Sequence, residues 1–286
     1  MKPSVSRIKT VVTRALEEDL GLGDITTESL IPPTMMGTAS ILAKSSGVVA
    51  GIQVAELTFT EVDKAIIFER LRQDGMKVDA GDIIARVTGR VAGILKAERV
   101  ALNFLQHLSG IATQTSLYVE AVSGTNARIL DTRKTTPGLR LFEKYAVKMG
   151  GGYNHRKNLA EQVLIKDNHL EACRITGMSL TDTVRMAREK TPLTVPIEVE
   201  VETVAEAKEA VEAGADMILL DNMSVTEMKK AVEEVKGMAE TEASGGITLE
   251  TVKAVAETGV DYISVGALTH SVKALDISLD LELMQD

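Results

Sequence analysis

The pattern of apolar and polar residues changes near residue 108, where we place a boundary between two predicted domains, 1–108 and 109–286. In the first domain helical and strand patterns are mixed. The elements predicted there are an amphipathic helix over 8–20, strands over 37–49, 66–71 and 82–87, and a helix over 51–62. A longer helical run covers 95–122, and Gly110 within it predicts a break between two helices, because glycine weakens a helix interior.

Beyond this boundary, short apolar segments alternate with helical patterns. The predicted strands are 127–130, 163–165, 197–201, 217–220, 242–243 and 262–265, and the helices between the last four are 204–213, 225–235 and 249–257. This alternation predicts right-handed βαβ units around a parallel sheet, closed or open. Residues 212–218 are echoed at 257–263, and in each copy a glycine, Gly214 or Gly259, is predicted to end a helix in the left-handed conformation. A repeat over two βα units is typical of an α/β barrel.

Composition and charge narrow the function classes. The 286 residues are 44% hydrophobic and 26% charged, which is ordinary for a globular protein. A formal net charge of −9, with four Tyr, four Phe and no Trp, argues against nucleic acid and anionic membranes as partners. One cysteine, Cys173, excludes an intrachain disulfide and a cysteine-based zinc site and favours a reducing, cytoplasmic location. The first residues predict a core-facing helix rather than a targeting peptide, and no apolar run is long enough to cross a bilayer.

Polar residues stand at the carboxyl ends of six predicted strands in the second domain. The chain carries no dinucleotide-binding glycine motif after a strand and no P-loop, but barrel enzymes build their sites at these strand ends. The residues there are Asp131 to Lys134, Lys166 to His169, Glu200, Asp221 with Asn222, Ser244 to Gly246, and Gly266. Any one of them would more often be a cap or a solvated charge. Six such ends together favour a ligand site.

The last two strand ends, at 244–246 and 265–267, contain glycines that let backbone N–H groups approach a phosphate. Glu200 and Asp221 end neighbouring strands, and two carboxylates so placed suit hydrated Mg²⁺ and sugar hydroxyls. Glu198 and Glu200 alternate with apolar residues and therefore share one face of a strand, directed into the barrel or its mouth.

Residues 131–169 form a basic island in an acidic chain. They carry eight Lys or Arg and four acids, a formal charge of +4, which leaves −13 on the remainder. Such a concentration of positive charge favours a small anionic ligand. A solvated helix face accounts for Lys144, Lys148 and Lys157, but poorly for Arg133 with Lys134 and His155 with Arg156, which stand in loop-forming sequence.

The motifs around this island resemble those of the quinolinate phosphoribosyltransferases, and the resemblance extends over nearly the whole chain. The segments that carry it are 131–140, 143–147, 150–152, 154–156 and 164–169, with 18–27 and 98–103 upstream and 198–200, 220–223, 243–247 and 269–271 downstream. The resemblance implies an amino-terminal α/β (α+β) domain followed by an open, incomplete α/β barrel, with a last helix that packs back on the first domain. It also implies a homodimer or higher homo-oligomer in which each subunit completes its partner's site.

The family's activity transfers phosphoribose from 5-phosphoribosyl 1-pyrophosphate to quinolinate with decarboxylation, a step in pyridine nucleotide (NAD) biosynthesis. The resemblance also implies that Mg²⁺ is the cofactor and that no organic cofactor is needed. The resemblance implies that the dicarboxylate is bound by Arg133, Lys134, His155, Arg156 and Lys166, with Arg99 from the other subunit. Thr132 is implied as a further substrate-binding residue. The phosphoribosyl substrate and its metal would be held by Glu200 and Asp221, with Ser244, Gly245, Gly246, Val265, Gly266, Ala267 and His270 around its 5-phosphate. Catalytic roles fall to Lys134, Lys166, Glu200 and Asp221.

Two alternatives stay open at this point. The first is a homologue of the same fold, either a molybdenum-transport-associated pyrophosphorylase-like protein or a nicotinate phosphoribosyltransferase. The second is a barrel that binds a phosphorylated ligand without catalysis. The intact Arg-Lys, His-Arg and Lys-Asp-Asn-His segments favour the quinolinate enzyme over both.

Overall fold

The chain passes four times between two units: residues 2–116, 137–151 and 271–283 form unit 1, and residues 117–136 and 152–270 form unit 2. The structure is a computed structural model, and it describes residues 2–283. The predicted domain boundary at 108 and 109 lies inside unit 1 and inside one continuous helix.

Unit 1 is built on a four-stranded antiparallel sheet with the strand order β12-β1-β5-β3. The strands of this sheet are β1 (Met36–Ala43), β3 (Ile67–Arg70), β5 (Ile83–Arg90) and β12 (Ile277–Leu283). A separate two-stranded sheet pairs β2 (Gly47–Val48) with β4 (Lys77–Val78). Its helices are α1 (Val5–Leu20), α2 (Ile25–Leu30), α3 (Ile52–Val62), α5 (Arg140–Met149) and most of α4 (Val91–Ala121). Alternate residues of β1, such as Ala39 and Ile41, are fully buried and pack in one core with Phe59 of α3.

Two predictions about strands in unit 1 were wrong. Residues 37–49 are not one strand, because the chain leaves the sheet after Ala43 and forms a bend in which Ser46 donates to Asp79. The predicted last helix is instead strand β12, which pairs along β1 from Ala43 to Gly37. Ile277, Leu279 and Leu281 recur with the two-residue period of a strand, which is why this segment joins a sheet.

The predicted helix break at Gly110 is also wrong, since α4 runs without interruption through this residue. A Cβ atom at position 110 would collide with the carbonyl oxygen of Lys273. Glycine is present here because another backbone segment approaches the helix closely, and its helix propensity is overridden by that packing.

Unit 2 is a parallel six-stranded sheet with the order β6-β11-β10-β9-β8-β7. Its strands are β6 (Arg128–Leu130), β7 (Val163–Ile165), β8 (Ile197–Val201), β9 (Met217–Asp221), β10 (Glu240–Ser244) and β11 (Tyr262–Ser264). Its helices are α6 (Asp167–Ile175), α7 (Leu180–Lys190), α8 (Val204–Glu212), α9 (Val225–Val235), α10 (Val252–Ala256) and α11 (Ala267–His270). β6 and β7 are the two edges, and no ladder joins them within residues 2–283, so the barrel is open.

The sequence repeat formed by residues 212–218 and 257–263 has the predicted local structure. Gly214 and Gly259 follow α8 and α10 with φ of +99° and +92°, the left-handed conformation expected at a helix end. Each following acid then anchors a neighbouring strand, because Asp216 accepts a hydrogen bond from Ile197 N at 2.7 Å and Asp261 one from Thr241 N at 2.8 Å. Along residues 2–283, no helix combines the length and hydropathy needed to span a membrane.

Candidate active site

A cavity of about 590 Å³ opens at the carboxyl ends of the unit 2 strands. Twelve of the residues predicted from sequence line it: Thr132, Arg133, Lys134, His155, Arg156, Lys166, Glu200, Asp221, Asn222, Ser244, Gly245 and Gly246. The other lining residues are Leu164, Leu219, Glu242 and Ser264. Cationic side chains therefore share one cavity with three acidic side chains and a glycine turn.

Asp131, directly after β6, connects the two loops that carry most of the cations. Its fully buried carboxylate accepts hydrogen bonds from Asn154 Nδ2 at 2.6 Å and from the backbone N of His155 at 2.9 Å. The backbone of Lys134, in the loop that follows Asp131, is also held in place, since Thr269 Oγ1 donates to its carbonyl oxygen at 2.6 Å. These bonds place Lys134 and His155 at the same cavity although 21 positions separate them in the chain.

His155 lines the cavity, but protein groups contact both of its ring nitrogens. The backbone N of Arg156 donates to Nδ1 at 2.7 Å, so the neutral ring carries its proton on Nε2. Nε2 lies 3.1 Å from Glu198 Oε2 and 3.4 Å from Glu242 Oε2. The same Glu198 oxygen accepts from Gln162 Nε2 at 2.9 Å. The ring is thereby held in one orientation beneath the loop.

Glu198 and Glu242 form a buried carboxyl pair on β8 and β10, with side chains 0% and 1% exposed. Of the two, Glu242 lines the cavity, and we call the pair the floor of the site. Burial raises the pKa of Glu198, and burial together with repulsion from Glu198 raises the pKa of Glu242 to about 8. At neutral pH the pair therefore retains a proton. Sequence reasoning missed Glu242 as a site residue, and the one available signal was its position in a short predicted strand that ends at the glycine turn.

Glu200 lies two residues further along β8 and nearer the opening, with 15% of its side chain exposed. Lys166 Nζ is 3.7 Å from Glu200 Oε2. Burial raises the pKa of Glu200 and the nearby Asp221 adds to this, while Lys166 opposes both. Lys166 itself is 46% exposed and keeps its ammonium available to a ligand.

The turn after β10 has a backbone that only glycine adopts easily. Gly245 and Gly246 have φ of +95° and +59°. Across the sheet, the loop after β9 approaches this turn, since the backbone N of Asn222 donates to the carbonyl oxygen of Ser244 at 2.9 Å. The turn thus exposes backbone without side chains next to Asp221.

Two domain models of one known family match the chain. The model of the quinolinate phosphoribosyl transferase N-terminal domain matches residues 24–109, and that of the C-terminal domain of the same family matches residues 111–280. The chain belongs to the quinolinate phosphoribosyl transferase family.

Members of this family from plants and bacteria are similar over most of their length. Quinolinate phosphoribosyltransferase (decarboxylating) 2a, mitochondrial, from Nicotiana tabacum is 46% identical over 291 residues, which span 96% of this chain and 82% of the relative. Nicotinate-nucleotide pyrophosphorylase (carboxylating), chloroplastic, from Oryza sativa is 46% identical over 293 residues, covering 96% and 78%. The crystal structure of NadC from Streptococcus pyogenes superposes with a TM-score of 0.95 at 41% identity and covers 100% of both chains.

Five of the residues that the family resemblance implied do not line the cavity. Val265, Gly266, Ala267 and His270 follow β11 in unit 2, where a Cβ at Gly266 would lie 3.0 Å from His270 Nε2 and 3.3 Å from Lys134 Cδ. Gly266 therefore lies beside Lys134. Arg99 is on α4 in unit 1, where its side chain is 60% exposed and lies 3.9 Å from Glu98.

The basic island divides between the two units. Arg133, Lys134, Arg156 and Lys166 are in unit 2, whereas Arg140, Lys144 and Lys148 are on α5 of unit 1. Lys148 is exposed, as expected for a solvated face, but Lys144 is only 3% exposed, so that interpretation was wrong for Lys144. Lys157 is part-exposed and pairs with Glu161 at 3.3 Å, but it lies in a loop rather than on a helix.

The donor set at the cavity mouth fits Mg²⁺. Glu200 and Asp221 offer carboxylate oxygens from adjacent parallel strands, and Mg²⁺ prefers one or two carboxylates together with water and substrate phosphates.

Proposed function

We propose that this chain transfers phosphoribose from 5-phosphoribosyl 1-pyrophosphate to quinolinate, with loss of CO₂, to give nicotinate mononucleotide and pyrophosphate. The observation that carries the proposal is that one cavity contains the cations Arg133, Lys134, Arg156 and Lys166 together with a glycine turn and its neighbouring carboxylates. We assign the cations to one part of the cavity and the turn with its carboxylates to the other. The family, whose named members act on quinolinate, supplies the substrate pair.

The cationic part suits a planar dicarboxylate. Arginine forms paired hydrogen bonds with carboxylates, so Arg133 and Arg156 would hold the carboxyl group that the product keeps. Burial and the nearby Arg133 lower the pKa of Arg156, while Glu198 opposes them, so a further anion beside this guanidinium would stabilise its charge. A substrate carboxylate would supply that anion. Because both nitrogens of His155 have protein partners, we assign His155 to holding the Arg156 backbone rather than to direct carboxylate binding.

The other part suits the phosphoribosyl substrate. Glu200 and Asp221 would bind the ribose hydroxyls and Mg²⁺, and the turn of Ser244, Gly245 and Gly246 would bind the 5-phosphate through backbone N–H groups. When bound, Mg²⁺ neutralises pyrophosphate charge and so makes it a better leaving group.

The transfer step needs position and charge more than acid–base chemistry. The pyridine nitrogen carries no proton, and its lone pair forms the bond to the anomeric carbon as the bond from that carbon to the pyrophosphate oxygen breaks. The anomeric carbon becomes cationic in the transition state, and Glu200 and Asp221, which line the cavity, would supply the negative charge that stabilises it. Lys134 and Lys166 would compensate the departing pyrophosphate and the carboxylates.

Decarboxylation then follows from the charge on the ring nitrogen. The bond from C2 to its carboxyl carbon breaks, CO₂ leaves, and the electron pair remains at C2 beside the quaternary nitrogen, where C2 takes up one proton. The chain's contribution is to hold the second carboxylate firmly while the first enters a less hydrated position.

Three further expectations belong to this proposal. We infer a homodimer or higher homo-oligomer in which the exposed Arg99 enters the partner's dicarboxylate site. Val265, Gly266, Ala267 and His270 would close around the 5-phosphate when substrate binds. We place the enzyme in the cytoplasm, in keeping with its single cysteine.

The deciding experiment supplies phosphoribosyl pyrophosphate and Mg²⁺ with either quinolinate or nicotinate, and measures pyrophosphate and CO₂. We expect both products, in equal amounts, from quinolinate and neither from nicotinate. Pyrophosphate from nicotinate alone, without CO₂, would refute the proposal in favour of a nicotinate enzyme. Binding without either product would indicate a non-catalytic barrel.

A further inference from the structure

Asn222, which directly follows β9, has an unusual backbone conformation. Its φ is +52°, and it is the one non-glycine residue with a positive φ among residues 2–283. Asparagine tolerates the left-handed region better than most residues, but glycine would occupy it with less strain. An asparagine at this position therefore suggests that its side chain is needed.

The Asn222 side chain contacts both parts of the phosphoribosyl half of the cavity. Its Nδ2 donates to Asp221 Oδ2 at 2.7 Å. Its Oδ1 lies against Gly245, so closely that a Cβ atom at position 245 would collide with it. Because a carboxylate only accepts hydrogen bonds, the amide nitrogen must face Asp221 and the amide oxygen must face Gly245.

The backbone of Asn222 makes the same connection. Its N–H donates to the carbonyl oxygen of Ser244 at 2.9 Å, which is the residue before the glycine turn. Asn222 therefore contacts the carboxylate that ends β9 and the turn that ends β10 through three separate groups. Asp221 has a rotatable side chain and the turn has flexible glycines, so neither would be held firmly without such a contact.

We propose that Asn222 is a positioning residue that orients Asp221 and sets its distance from the turn of Ser244, Gly245 and Gly246. The inference rests on the proposed function, in which these two elements bind the ribose with its Mg²⁺ and the 5-phosphate of one substrate. That substrate is bound tightly only when both elements have the spacing of its own groups, because misplacement by either costs binding energy.

If Asn222 served only to adopt the left-handed backbone conformation, its substitution would have different effects. Three variants distinguish that conformational role from the positioning role. Asn222→Gly keeps the left-handed backbone and removes the amide. Asn222→Asp keeps the shape and the tolerance for that backbone, but replaces the donor facing Asp221 with a carboxylate. Asn222→Ala removes the amide and strains the backbone. Asn126→Gly and Asn126→Asp are matched controls, because Asn126 is exposed and precedes β6 at the opposite end of the sheet.

The experiment measures the KM for phosphoribosyl pyrophosphate, the Kd of its Mg²⁺ complex by calorimetry, the Kd of quinolinate and the melting temperature. With Asn222→Gly we expect the first two constants to rise about tenfold, the loss typical of a hydrogen bond to a charged group. Quinolinate affinity and melting temperature should stay near wild type. Asn222→Asp should weaken the phosphoribosyl substrate more than Asn222→Gly does, because two carboxylates then repel. The Asn126 variants should change none of these values.

If the KM and Kd of Asn222→Gly for the phosphoribosyl substrate equalled those of the wild type, the inference would be overturned. Asn222 would then have only a backbone role. An equal loss of affinity for both substrates would also overturn it, since that result indicates general disruption. Failure of the proposed function is recognised separately. In that case the wild-type protein releases no CO₂ from quinolinate, whereas the calorimetric comparison of variants still reads the effect of Asn222 on the phosphoribosyl ligand.

Discussion

Glu198 and Glu200 are the same residue type, two positions apart on one strand, yet they have different surroundings. Glu198 is fully buried and accepts hydrogen bonds from Gln162 and from His155. Glu200 is near the opening and faces the ammonium group of Lys166. One layer of the barrel separates a carboxylate that organises the protein from one that is available to a ligand.

This difference shows that depth along a barrel strand decides the role of an acid. At the floor, burial favours the neutral form, and Glu198 and Glu242 retain a proton between them. At the mouth, burial also raises the pKa of Glu200, but Lys166 opposes this shift by stabilising the charged form. Substitutions at the mouth should therefore impair turnover, and substitutions at the floor should change orientation and pH response.

The largest effect is expected at the mouth cations. Lys166→Ala and Lys134→Ala should each lower turnover by more than about 100-fold, because in the proposed mechanism each lysine compensates charge where the bonds break. Phosphoribosyl pyrophosphate binding, measured by calorimetry, should be largely retained. Lys157→Ala, in an exposed ion pair, is the control. Unchanged turnover in either variant would remove that lysine from the catalytic assignment.

Glu200→Gln comes next. We expect about a 100-fold fall in kcat/KM for phosphoribosyl pyrophosphate, since the variant keeps the shape but removes the charge that we propose faces the ribose and metal. Steady-state kinetics at several Mg²⁺ concentrations will measure it. If Glu202→Gln, an exposed residue on the same segment, produced the same loss, the effect would not be specific to the mouth of the barrel.

Glu198→Gln should have a smaller effect, of a different kind. The variant weakens the contact that orients His155 and, through it, the Arg156 backbone, so the KM for quinolinate should rise about tenfold with little change in kcat. Gln162→Ala removes a second hydrogen bond to the same oxygen and should change KM in the same direction. A fall in kcat alone would contradict the division between floor and mouth.

The smallest effect on activity is expected for Glu242→Gln, which should retain turnover within about twofold at neutral pH because Glu242 is protonated there. The main effect of this variant should appear in thermal stability. Folding raises the pKa of Glu242 from its ordinary value of 4.5 to about 8, so between these two pH values the folded state binds more protons than the unfolded state. Wild-type stability should therefore fall as pH rises through this window, and the variant should show a flatter dependence of melting temperature on pH. Identical pH profiles would exclude the shared proton.

Much of unit 2 follows from local sequence. Gly214 and Gly259 end helices as their positions predict, and the strand pattern places Lys166, Glu200 and Asp221 at one edge of the sheet. Parallel strands bring their carboxyl ends together, so residues far apart in the chain converge without any long-range information beyond the βα rhythm.

Other features had no local signal. Gly110 has the appearance of a helix break, but it accommodates a segment more than 150 residues later in the chain. Lys144 has the spacing of a solvated helix face and is buried. The strand Ile277–Leu283 finds its partner β1 about 240 residues earlier. In each case the deciding contact is non-local, and no window of the sequence contains both partners.

The family, the βα rhythm and the set of charged strand ends can all be predicted from the sequence, because these depend on side-chain type and spacing along the chain. Which of those groups line the cavity and which contact each other follows from the folded structure alone. The folded structure directed both nitrogens of His155 to protein partners, buried Glu242 beneath them, and placed Asn222 between a carboxylate and a glycine turn. The physical reason is that desolvation and hydrogen-bond geometry depend on neighbours from other strands, which the sequence order does not specify.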